Sequence, residues 1–156
     1  MILVGIDTGA NTGLALYDTD SRSLIDVSTV RIHQAMEVVR ALAEGQKEVA
    51  VRFEDARQRK WIPNTGDYGR EKGRAQGAGY VKAHCQIWED FLSELQVPYE
   101  AVAPRNNATK LGAEAFAAIT GWKGRTSEHG RDAAMLVFGM KRINNRNAYE
   151  GQKGHR

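Results

Sequence analysis

The chain has 156 residues, 42% of them hydrophobic, and a formal net charge of +3. That is enough for one domain with a real core, and too apolar for a disordered chain. No apolar run reaches the length of a membrane span, no leader is expected ahead of a strand predicted from residue 2, and a single cysteine, Cys85, excludes a disulfide framework or a cysteine-based zinc site. A reducing cytoplasm suits this composition, and no membrane partner is expected.

The segment MILVGIDTGANTG opens on the apolar run Ile2, Leu3, Val4 and Ile6, which predicts a buried strand over 2–7 ending on Asp7. Asp-Thr-Gly is good turn chemistry, so Asp7 is either a turn former or a ligand at a strand tip. Residues 12–18 pair back as a hairpin, and 23–32 alternate as a third strand. Helical spacing covers 34–44 and stops at Gly45. Residues 48–54 read as a fourth strand ending on Glu54, and 55–70 as a polar, basic loop. A long helix follows over 71–95, with Cys85 as a small packing residue. Its first half, GRAQGAGYVKAH, is rich in glycine, which weakens a helix by up to ~1 kcal/mol per residue relative to alanine. Small residues there let another backbone or a nucleic-acid strand approach closely. A short fifth strand over 98–103, an Ala-rich helix over 106–119, a basic loop over 122–127 and a last helix over 128–143 complete the pattern. The order predicts an α/β fold: a five-stranded mixed sheet flanked by helices, in one domain of residues 1–143. Residues 144–156 form a basic tail expected to fray.

The charge is unevenly placed. Between Arg57 and Lys82 stand seven basic residues (Arg57, Arg59, Lys60, Arg70, Lys72, Arg74, Lys82) against Asp67 and Glu71, a net of +5. From Lys141 to Arg156 five basic residues face Glu150 alone, a net of +4. Such asymmetry points to a polyanionic partner; its ordinary alternative is a solvated basic face.

The acids have a pattern too. Asp7 and Glu54 both end apolar strands, and such tips meet if the strands are neighbours. In SEHGRDAAMLVFG, His129 and Asp132 are three residues apart and share a helical face, with the apolar stripe Ala133, Leu136, Val137 and Met140 to dock on the sheet. Together they offer three carboxylates and an imidazole, donors suited to Mg²⁺ or Mn²⁺. Two such ions activate a water and stabilise the leaving oxygen in phosphodiester cleavage. Each residue has a plainer reading: a strand-end charge, a helix cap, a surface histidine. Their joint order argues for the site.

Those four pieces, GIDTGANTG, FE, GRAQGAGYV and HGRDAA, resemble the RuvC family of Holliday-junction resolvases, which have the RNase H-like fold, over Met1 to about Ile143. The resemblance implies a metal-dependent endonuclease that cuts branched DNA as a homodimer, one site per subunit, leaving 5′-phosphate and 3′-hydroxyl ends. Carried over, Asp7, Glu54 and Asp132 are metal-binding acids on two Mg²⁺ ions, with Mn²⁺ also accepted. Asp7 would bridge both ions. His129 stands where many members have aspartate and others histidine, and could bind metal or act on the water or leaving group. Gly130 in the first turn is a departure expected to loosen that geometry. Dimerisation would use the 71–95 helix, with Ile87, Phe91 and Leu95 as an apolar edge or as core. The basic loop 57–72 would face DNA. Trp61, or else Tyr68, would be the aromatic wedge inserted in the junction, although either ring can also fold back on the protein. Lys110 resembles the family's DNA-facing lysines, and Arg105, Lys123 and Arg125 would extend the backbone contacts.

Three rivals stand beside this reading. GIDTG also resembles the first phosphate loop of sugar kinases, actin and heat-shock ATPases, but the chain has no room for their second domain. A RuvC-like nuclease maturing ribosomal RNA shares the opening motif. A non-catalytic binder of branched DNA would not need all four site residues. The sequence leaves open strict four-way specificity against the broader branched-DNA cleavage of a phage-type member.

Overall fold

The computed structural model of the chain describes residues 1–59, 68–105 and 110–143, with the backbone alone over 68–75. Five strands form one sheet: β1 (Ile2–Asp7), β2 (Asn11–Asp18), β3 (Ser23–Arg31), β4 (Val49–Glu54) and β5 (Tyr99–Val102), in the order β3-β2-β1-β4-β5. The first three are antiparallel, while β4 runs parallel to both β1 and β5. The described helices are α1 (Ile32–Ala43), α2 (Tyr68–Glu94), α3 (Ala113–Thr120) and α4 (Glu128–Val137), with one 3₁₀ turn at Ala56–Gln58. The mixed sheet expected from the sequence is therefore the one observed.

Strand parity decides where the acids point. Side chains alternate faces along a strand. Ile2, Val4 and Ile6 of β1 and Val51 and Phe53 of β4 bury into a cluster with Ala35 and Val39 of α1 and Cys85, Trp88, Phe91 and Leu92 of α2. The other parity, Leu3 and Gly5 of β1 and Ala50 and Arg52 of β4, faces α4. Asp7 and Glu54 continue that second set, so both carboxylates leave the sheet on the α4 side. The register puts them side by side, one residue beyond the Ile6–Phe53 pair.

Helix α4 lies close to the sheet because two glycines let it. A Cβ on Gly5 would run into the backbone carbonyl of Ala133, and one on Gly13 into that of His129. Gly130 belongs to the same contact: a Cβ there would meet Ser28 O and Val27 Cγ1 at 3.2 Å. The expected loosening by Gly130 is thus corrected. It is buried, its N–H donates to the Ser127 cap at 3.0 Å, and its lack of a side chain seats the helix on β3. Arg52 adds a bond from β4, donating to Leu136 O at 2.8 Å.

Three boundaries differ from the sequence reading by three residues or more. Helix α4 ends at Val137, because Phe138 turns out of the helix to pack edge-on against Tyr17, and Gly139 follows at φ 77°. Met140 and Ile143 then pack with the same cluster around Leu3 and Tyr17. Helix α3 begins at Ala113, after an extended Gly112; residues 110–112 are not helical, and 106–109 lie outside the described residues. Helix α2 begins earlier, at Tyr68, and its 27 residues span about 40 Å. Of the apolar edge proposed on α2, Phe91 is buried core and Leu95 packs on that core, while Ile87 is exposed, as is Tyr80. Nothing lies within 4 Å of a Cβ placed on Gly77 or Gly79, so the close approach expected there is not made by a described part of this chain.

Candidate active site

The tips of β1 and β4 and the first two turns of α4 place the four expected residues near one another. His129 Nδ1 is 2.8 Å from Asp7 Oδ2. An ionised carboxylate only accepts, so Nδ1 carries the proton and donates. Among the described residues Nε2 then has no partner, on a side chain 55% exposed. Lys110 Nζ pairs with Asp132 Oδ2 at 2.8 Å and lies 3.6 Å from Glu128. Glu54 faces both other acids: their charges, together with burial, act on its carboxyl.

The backbone holding these groups is tied down. Thr8, next to Asp7, donates its hydroxyl to Glu54 O at 3.0 Å, and Cys85 Sγ packs against the same carbonyl. Ser127 caps α4 and is hydrogen-bonded to Thr29 of β3. Sequence reasoning missed Thr8; its position between Asp7 and Gly9 looked like turn chemistry alone.

Burial raises the Asp7 carboxyl above its ordinary value, more than the hydrogen bond and charge of His129 lower it, and Asp132 adds to the rise. Burial, then the charge of Asp7, raises Glu54; Lys110 and Arg59 act against this. The Asp132 carboxylate, through its hydrogen bond, raises the Lys110 ammonium, so that group stays charged. The sign for stability follows. A carboxyl with a raised folded-state pKa binds its proton more readily in the native state. Asp7 and Glu54 therefore favour the fold as pH falls into the interval between their raised and ordinary values, and oppose it above. Without divalent ions, Glu54→Gln should melt above wild type at neutral pH. The gap should close as pH falls into the ordinary carboxylate range. Thermal melts across pH check this, and a variant melting below wild type at neutral pH would contradict it.

The expected DNA-facing cations fall into different places. Arg57 is partly exposed, but its guanidinium is paired within the chain rather than free. It donates to Asp55 at 2.8 and 3.0 Å and to Gln86 at 2.9 Å, and pairs with Glu89 at 2.7 Å. Asp55 is buried. Burial works against its charge, but the bonds from Arg57 outweigh that and hold its carboxyl below the ordinary value. This network ties the chain after Glu54 to α2. Arg57→Ala should thus lower stability by about 1–3 kcal/mol, as expected when a buried charged acceptor loses its donor. Denaturant unfolding measures it, and a loss of DNA affinity with unchanged stability would contradict the placement. Arg59 is exposed and its charge reaches Glu54. Lys123 and Arg125 are exposed between α3 and α4, and Arg105 is exposed beside Met135 O. Arg105, Lys110 and Arg131 share a shallow pocket with Glu54 and Asp132. Lys60 and Trp61 lie outside the described residues, and of Tyr68, Arg70, Lys72 and Arg74 only the backbone, in α2, is described.

The donors fit a divalent cation in kind: hard carboxylate oxygens whose like charges disfavour one another without a counter-ion. As the side chains stand, Asp7 and Asp132 are held by His129 and Lys110. Among the described residues no three His, Cys, Asp or Glu side chains are gathered closely enough to hold a metal. No described helix is long and apolar enough to cross a membrane.

No protein-family model matches the chain, and no curated protein does. Among solved structures, T. thermophilus RuvC in complex with a Holliday junction substrate is similar, with a TM-score of 0.51 and 18% sequence identity, covering 88% of this chain and 91% of that one. The fold is therefore RuvC-like, a mixed α/β sheet of the RNase H type. At this identity the likeness is one of architecture.

Proposed function

We propose that the chain is a metal-dependent endonuclease that resolves four-way junctions and related branched DNA by paired phosphodiester cleavage. One observation carries the reading. Within a RuvC-like fold, three elements bring Asp7 and His129 into contact and set Glu54 and Asp132 near enough for the acids' charges to act on one another. The solved neighbour holds a Holliday junction, which makes branched DNA the first substrate class to test.

Asp7, Glu54 and Asp132 would hold Mg²⁺ or Mn²⁺, as two ions, with the His129 ring beside them. Bound there, the ions would supply Lewis-acid activation of water and charge stabilisation at the leaving oxygen. The chain's own groups do the rest. Asp7 orients His129 so that Nε2 can take or give a proton at the attacking or leaving oxygen. Lys110, Lys123, Arg125 and Arg105 present cations for backbone phosphates, joined by Arg59 and the basic stretch through Lys60, Arg70, Lys72 and Arg74. Trp61 or Tyr68 would stack in the junction. A second copy packed on the open face of α2, at Gly77, Gly79, Tyr80 and Ile87, would supply the second site.

The test is a panel of end-labelled substrates: four-way junction, flap, single strand, linear duplex and structured RNA. Paired nicks on the junction alone are expected. Equal cleavage of RNA would move the function to RNA maturation, and tight junction binding without cleavage in any metal would make the chain a non-catalytic binder.

A further inference from the structure

Beside Asp132 on α4 stands Arg131, a residue to which the sequence reading gave no role. Its Nε donates to Leu111 O at 3.0 Å. One terminal nitrogen donates to both the carbonyl and the hydroxyl of Thr126, each at 3.0 Å. Leu111 precedes α3 and Thr126 follows it, so one guanidinium holds both flanks of that helix. The helix needs the support: Phe116 is its only buried residue. Leu111 is also bonded to Lys110, whose ammonium reaches Asp132.

We propose that Arg131 is a positioning residue: its guanidinium pins Leu111 and Thr126 to α4 and so fixes the Lys110 ammonium against Asp132. The geometry requires arginine. Its planar fork presents separate donors at Nε and the terminal nitrogens, whereas lysine ends in one nitrogen on a flexible stem. The inference rests on reading Asp132 as a site residue, so its test has an arm that needs neither metal nor cleavage.

In the metal-free full chain, the Lys110 ammonium should give a slowly exchanging ¹H–¹⁵N signal, assigned by its loss in Lys110→Met. Arg131→Lys should remove or average that signal while the backbone amide spectrum keeps the fold. An unchanged signal would overturn the proposal. Should Arg131→Lys fail to fold, Thr126→Val removes one accepted bond and should weaken the signal in part; no change there overturns the proposal equally.

The second arm titrates Mn²⁺. Because Lys110 competes for Asp132, Lys110→Met should tighten Mn²⁺ binding roughly three- to tenfold, the range for releasing a partly exposed charged pair. Arg131→Lys should do the same although it conserves charge, and the double variant should add nothing. Independent, additive effects would overturn the proposal, because a merely structural arginine has no reason to couple to Lys110. If no variant bound Mn²⁺ while the ammonium signal behaved as expected, Arg131's role would stand and the metal reading would fall.

Discussion

Asp7→Asn should lower cleavage of a synthetic four-way junction by roughly 10³-fold or more, the order seen when a group acting in the transition state is removed. Junction binding should stay within about twofold, because it comes mainly from cation–phosphate contacts elsewhere. The substitution is isosteric. Its amide oxygen can still accept from His129 Nδ1, which lies 2.8 Å from the carboxylate, so the fold and the ring orientation persist. What disappears is the charge at the tip of β1, facing Glu54 and Asp132. Binding assays in chelator and single-turnover cleavage in Mg²⁺ separate the two effects. Wild-type cleavage by the variant would remove Asp7 from the mechanism.

Gly13→Ala should be nearly as damaging by a different route. The added methyl would enter the space of the His129 carbonyl, and backbone cannot step aside as a side chain can. Overpacking of this kind costs about 1–3 kcal/mol and sometimes more. Here it also lifts the first turn of α4 from β2, moving His129 and Asp132 relative to Asp7. Gly5→Ala pushes on Ala133, one turn further along, and should cost similar stability with less effect on the site. Gly77→Ala and Gly79→Ala are the controls. Within one copy their surroundings are open, so at concentrations where the chain is monomeric alanine should stabilise α2 by up to ~1 kcal/mol per site. Denaturant melts of the four variants check the set. Full stability in Gly13→Ala would contradict the seating of α4.

Much of this was legible because it depends on periodicity. The apolar run ILVGID and the alternation in VAVRFE marked both strands, and strand-end position put Asp7 and Glu54 at tips. The i, i+3 spacing of His129 and Asp132 placed them on one side of α4. Contacts between distant segments were not legible in the same way. Nothing in the local pattern shows that Arg57 closes on Asp55, Gln86 and Glu89, so a basic run looked like a free face. Gly130 looked like a helix weakness because propensity counts the helix alone, whereas its neighbours are Val27 and Ser28 of β3. Arg131 was one more basic residue until its two flanking partners were known. The early end of α4 follows from Phe138 meeting Tyr17, again a tertiary preference overriding a helical run.

The most direct test of the central claim is the rate of strand cleavage on a four-way junction, measured in Mg²⁺ and in EDTA, for wild type and Glu54→Gln. Metal-dependent nicking by wild type, abolished by chelation and by Glu54→Gln, is the expected result. Cleavage that persists in EDTA, or that Glu54→Gln leaves intact, would mean that the acids at the ends of β1, β4 and α4 are not the site.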